Sequence, residues 1–178
     1  MIIHEEKIEG NFVGTIIDLE TIGNFDNYYD SRRYRNIIPV IFGFVNSNVL
    51  KIFCAKSKNS IQLLKNKIEE LLPQLNRPFH AFNCDFERGV LFHFCGKETL
   101  FDAELDDRKF EKKEEVVESL KISKYGDPFN GNGFLCSQAW SNGKLKEAIA
   151  HNRSCLLKER DILKLRGMRN PDILKFIP

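Results

Sequence analysis

Long hydrophobic runs are missing from this chain. No apolar stretch approaches the ~20 residues that a membrane-spanning helix needs, and the opening MIIHEEKIEG lacks the layout of a signal peptide. A membrane partner is therefore not expected. Paired cysteines are missing too: Cys54, Cys84, Cys95, Cys136 and Cys155 are scattered with no CxxC pair. That pattern excludes a dense disulfide scaffold and suits a reducing compartment, so a cytoplasmic location is expected. Charge of one sign is also scarce, since 27 Lys and Arg against 25 Asp and Glu leave a formal +2. Such a balance neither demands nor forbids a polyanion, and an argument for nucleic acid has to come from local clusters. Internal repeats and low-complexity tracts are absent as well.

What is present is core material. With 178 residues and 15 phenylalanines, the chain can bury a substantial core but is short for two ordinary domains, so residues 1–178 read as one. Residues 11–20 form the first expected strand, followed by a polar, aromatic-rich segment to residue 36. The run IIPVIFGFVNSNVLKIFCA holds two β-rich stretches around the turn signal Asn46-Ser47-Asn48, which predicts a hairpin. Ile61, Leu64, Ile68, Leu71 and Leu75 recur at helical spacing, with Pro78 closing the element. PFHAFN reads as a buried strand, CDFERGVLFHFCG as a helix ended by Gly96, and TLFDAEL as a short strand. A charged, solvated helix is expected over about residues 107–122, then a glycine-rich turn at DPFNGNG, then helices at FLCSQAW and over residues 144–165. A hairpin joined to helix-connected strands predicts an α/β fold: a mixed sheet with helices on both faces.

Two short stretches carry the chemistry. In GTIIDLET, Asp18 and Glu20 are separated by one leucine, and side chains two apart on a strand share a face, about 7 Å apart. Carboxylates so placed repel one another when desolvated, and their oxygens suit Mg²⁺ or Mn²⁺. A strand end where both acids are solvated or paired with Arg32 or Arg33 is the competing reading. In HAFNCDFERGVL, Asp85 and Glu87 open a helix just after an apolar strand, at the carboxyl edge where α/β sheets place their sites. Each is also an ordinary first-turn acid.

At these residues the sequence resembles the DEDD superfamily of 3′–5′ exonucleases, in particular the ribonuclease H-like domains of bacteria and archaea. DLET is similar to the family's Asp-x-Glu motif. FNCDFERGVL resembles its second motif, with Glu87 at the acid position and Asp85 as the alternative. LFDAEL is similar to the next Asp-bearing strand. SLKISKYGDPFNGNG, Trp140 and HNRSCLLKERDIL resemble the later segments in the same order. The resemblance spans about residues 11–165 and implies a ribonuclease H-like fold. It further implies two Mg²⁺ or Mn²⁺ ions on Asp18, Glu20 and Glu87, His151 beside the attacking water, and the 3′ end of single-stranded DNA or RNA as substrate.

The chain departs from that pattern four residues after His151. Cys155 stands where the family carries an aspartate, and the residue five on, the other spacing in the family, is Leu156. Residues four apart share a helix face, so Cys155 is expected to point at the metal position, with Glu159 one turn further and able to reach back. A thiolate there favours softer metals over magnesium. A nuclease fold that has lost its fourth acid, and binds nucleic acid or a protein partner without turnover, is the alternative function.

For the substrate, NFDNYYDSRRYRN interleaves Phe25, Tyr28, Tyr29 and Tyr34 with Arg32, Arg33 and Arg35. Rings stack on bases and guanidinium groups hold phosphates, so Tyr28, Tyr29, Arg32 and Arg33, together with Asn83, are the expected contacts. The competing reading folds these rings over the sheet and pairs the arginines with local acids. Lys158, Arg160, Lys164, Arg166 and Arg169 are expected to form a solvated helix face.

Overall fold

The apolar runs of the first half pair edge to edge. In the computed structural model, which describes residues 1–109 and 111–178, β1 (Ile2–Lys7), β2 (Thr15–Gly23), β3 (Ile37–Val45) and β4 (Val49–Cys54) make antiparallel pairs. β5 (Phe79–Ala81) and β6 (Ala103–Glu104) add parallel strands on the far side of β2, giving the order β1-β4-β3-β2-β5-β6. The helices are α1 (Ile61–Leu71), α2 (Cys84–Cys95), α3 (Lys113–Ser119), α4 (Gly133–Ser141) and α5 (Leu145–Arg166). The expected α/β fold, a mixed sheet with helices on both faces, is the fold observed.

Local signals explain most of the elements. The Asn46 side chain accepts from the backbone N–H groups of Asn48 and Val49, which closes the β3–β4 hairpin. Gly96 ends α2 in the left-handed region at φ 72°. Leu64 and Ile68 of α1 are fully buried, as their spacing requires.

Three expectations need correction. The first strand, expected at residues 11–20, is preceded by β1 over Ile2–Lys7. Its IIHEEK sequence is half charged because it is an edge strand, paired with β4 alone, and charges protect such edges. The helix expected over 107–122 shrinks to Lys113–Ser119, with residue 110 outside the described residues. The segment before it is tied down by ion pairs: Arg166 holds Asp107 and Glu111, and Arg169 holds Asp106. The expected solvated basic face is solvated only at Lys164. Lys158 is fully buried, Arg160 pairs with Asp161, and Arg166 and Arg169 are spent on those acids.

One contact fixes α5 against the sheet. Asp18 of β2 lies opposite Gly43 of β3, and a Cβ at Gly43 would sit 2.1 Å from Asn152 Oδ1 of α5. The missing side chain is what lets α5 approach the sheet beside Asp18. Gly43→Ala is therefore expected to cost about 1–3 kcal/mol through overpacking and to push Asn152 off Asp18. A drop in the urea midpoint with an unchanged m-value is the measurement.

Candidate functional site

Period-two alternation on β2 turns Ile16, Asp18 and Glu20 to one face, and a register shift follows directly after Glu20. α2 begins three residues after β5 and carries Glu87 in its first turn. α5 crosses the same face and supplies His151, Cys155 and Glu159 from successive turns. Asp18, Glu20, Glu87, His151, Cys155 and Glu159 line one cleft of about 400 Å³, although each is itself mostly buried. The expected convergence of acids from separate parts of the chain is present, and Glu159 reaches the cleft as its helical spacing suggested.

Each group has an identifiable partner or lacks one. The Asn152 side-chain amide donates to Asp18 Oδ2 at 2.7 Å. Lys113 Nζ donates to Asp18 Oδ1 at 3.1 Å and also to Glu159 Oε1. Glu87 Oε2 and Glu159 Oε2 are buried without a hydrogen-bond partner among the described residues. Burial, followed by the charges of Asp18 and Glu159, pushes the Glu87 carboxyl well above its usual range. Burial likewise raises Glu20 to about 7 and Glu159 to about 8, against the pull of His151 and Lys113. For these acids burial and mutual repulsion outweigh the positive charge of Lys113 and His151.

His151 is held from behind. Its Nδ1 donates to Asp127 Oδ1 at 2.7 Å, and its Nε2 faces Glu20 Oε1 at 3.6 Å and Cys155 Sγ at 3.8 Å. Burial opposes charge on the ring, but the bond to Asp127 and the neighbouring Cys155 and Glu20 outweigh it and raise the ring to about 11. In this state His151 is a donor rather than a base. Asp127 is fixed in turn by Lys158 Nζ at 2.8 Å and by the N–H groups of Phe129 and Gly131.

The remaining expected residues fall elsewhere. Asp85 lies outside this cleft, in a smaller neighbouring pocket, and pairs with Lys109 at 3.1 Å, so of the two α2 acids it is Glu87 that shares the cleft with Asp18. Asn83 borders both cavities. Arg32 is bound through two nitrogens to Asp30 and lies over the Tyr28 ring, while Arg35 pairs with Asp26, so the competing reading holds for those arginines. Tyr29 is fully exposed, and Arg33 lies over Phe25 beside the smaller pocket.

No family model, no curated protein and no solved structure matches this chain. The likeness to DEDD exonucleases therefore rests on the ordered sequence motifs alone.

The donor set fits a divalent cation. Carboxylate oxygens of Asp18, Glu20, Glu87 and Glu159 face one space, two of them without partners, and hard oxygen donors suit Mg²⁺ or Mn²⁺. Cys155 is the soft exception, with its sulfur within 4.8 Å of ligand atoms of both Asp18 and Glu20. Sequence reasoning missed Lys113, Asp127, Asn152 and Lys158. Asp127 sits in Asp-Pro within the glycine-rich turn, a position that could have marked it. Lys113 and Lys158 carried no signal, because nothing local distinguishes a buried lysine from a solvated one.

Proposed function

We propose that the chain is a divalent-metal-dependent nuclease that shortens single-stranded DNA or RNA from the 3′ end. The observation that carries this reading is the pair of partnerless buried oxygens, on Glu87 and Glu159, facing the Asp18 and Glu20 carboxylates across one cleft. Asp18, Glu20, Glu87 and Glu159 would hold two Mg²⁺ or Mn²⁺ ions. When bound, such ions supply Lewis acidity to the phosphodiester and to the attacking water.

The chain's own groups do the rest. Asn152 orients the Asp18 carboxylate, so its oxygens stay aimed into the cleft. Phe25, Phe86 and Phe134 border the opening and offer faces on which a terminal base can stack. His151, kept in place by Asp127, presents its Nε2 proton to the charge that develops at the scissile group, and takes up base chemistry only after that proton has left.

A second reading is favoured by Lys113. Its ammonium already bridges Asp18 and Glu159, occupying part of the space in which a cation would be held. With Cys155 in place of a carboxylate, this describes a fold that binds a strand without cutting it. A labelled single strand incubated with Mn²⁺ separates the two. The nuclease reading expects stepwise shortening that Asp18→Ala reduces by about 10²-fold or more. Retained binding with no shortening in either protein would favour the second reading.

A further inference from the structure

A second donor set overlaps the first and differs from it in chemistry. Cys136 of α4 is fully buried, and its sulfur lies within 4.8 Å of ligand atoms of both Glu20 and His151. Cys155 Sγ is 3.8 Å from His151 Nε2 on the other side, and also lies within 4.8 Å of a Glu20 ligand atom. The Cys136 thiol makes a long hydrogen bond to the Ala148 carbonyl, at 3.7 Å, and also interacts with Glu20. Glu20, Cys136 and His151 thus bring a carboxylate oxygen, a sulfur and an imidazole nitrogen within 4.8 Å of one another, and Cys155 adds a second sulfur 3.8 Å from His151 Nε2.

We propose that Cys136, His151, Cys155 and Glu20 form a soft-metal site for Zn²⁺, set behind the oxygen-rich site and sharing Glu20 with it. The chemistry of the donors is one argument: two thiolates, an imidazole and a carboxylate are ordinary tetrahedral zinc ligands, and magnesium does not take sulfur. The support of His151 is the other. A metal-binding histidine donates its second ring N–H to a carboxylate, which fixes the ring and points the free nitrogen at the ion. His151 does this through Nδ1 to Asp127, itself anchored by Lys158, and Nε2 points at Glu20 and Cys155. A histidine serving a surface role has no use for such a rigid backing.

Binding balances in protons. Each thiol and the Nε2 position of His151 release a proton to solvent as their bonds to the ion form. With zinc seated, Glu20 and His151 are withdrawn from the oxygen-rich site, so the ion would act as a brake on any hydrolysis there. The zinc site itself stands on its own donors and holds whether or not the chain cleaves nucleic acid.

The test is optical and needs no substrate. The reduced, metal-free chain is titrated with Co²⁺ under anaerobic conditions. A single tight equivalent is expected to give near-ultraviolet thiolate-to-cobalt charge transfer with intense visible bands of a tetrahedral ion, both abolished by Zn²⁺. Cys136→Ser and Cys155→Ser should each remove about half of the charge-transfer intensity, one thiolate of two. A weak visible spectrum with no charge-transfer band in the unaltered chain would overturn the proposal without reference to any variant. So would a band that survives both substitutions, because it would then come from Cys54, Cys84 or Cys95. Failure of the nuclease assay leaves this absorption untouched, so the two readings fall separately.

Discussion

Glu87→Gln is expected to stabilise the metal-free protein and to disable divalent-ion binding at once. The Glu87 carboxyl is raised well above its usual range by burial and by Asp18 and Glu159, and its Oε2 has no partner among the described residues. A carboxyl raised on folding holds its proton more tightly folded than unfolded. Stability therefore falls as pH climbs from the ordinary carboxylate range through the folded value. The neutral amide keeps the shape and removes that penalty. The gain should be about 1–3 kcal/mol near pH 8 and vanish near pH 4, where the native acid is protonated in both states. Thermal unfolding in chelator at the two pH values reads this directly. Mn²⁺ should raise the midpoint of the unaltered chain and leave that of the variant almost unmoved. A variant no more stable than the parent at the higher pH would mean that Lys113 already neutralises Glu87, and the case for an ion there would fail.

The largest loss of stability is expected from Asp127→Ala. Asp127 is the common anion for His151 and for Lys158, which is fully buried. It favours the charged form of both, together with Glu114 for Lys158 and with Cys155 and Glu20 for His151. Although burial opposes ionisation, the bonds from His151 and Lys158 hold the Asp127 carboxyl well below its usual range, and the bond to Asp127, with Cys155 and Glu20, raises His151 to about 11. A depressed carboxyl contributes stability that is present above its unfolded value and lost as pH falls through the folded one, so the contribution is whole at neutral pH. Removing the anion leaves buried Lys158 with Glu114 alone and His151 with Glu20 at 3.6 Å, and frees the N–H groups of Phe129 and Gly131. A cost of about 3–5 kcal/mol is expected, as for other broken buried ion pairs, which lowers the midpoint by about 10 °C in a chain of this size. Adding Lys158→Met to Asp127→Ala should recover part of the loss, because one poorly compensated buried charge disappears. Additive losses in the double variant would refute the shared-anion account.

The two predictions lie at different distances from what the sequence displays. Asp18 and Glu20 could be placed on one face from period-two alternation alone, whereas the helix opening directly after a strand offered both Asp85 and Glu87, and only the resemblance favoured Glu87. Cys155 and Glu159 followed from helical spacing after His151. Each inference used a periodicity that the backbone enforces locally, whatever the rest of the chain does. β1 was missed because an edge strand needs no apolar alternation on its exposed side. The aromatic-arginine segment misled in part, since Arg32 and Arg35 are spent on Asp30 and Asp26 within the same loop.

What the sequence determined by itself is the order of elements, the turn at Asn46, the end of α2 at Gly96 and the face on which the β2 acids stand. What only the tertiary structure decided is how those acids are compensated. Lys113, Asp127 and Lys158 come from three separate segments, a charged helix, a glycine-rich turn and α5, and they meet at the site only in the folded chain. The reason is physical: periodicity is a property of neighbouring residues, whereas the charge a buried carboxylate feels is set by groups distant in sequence that share its low-dielectric surroundings.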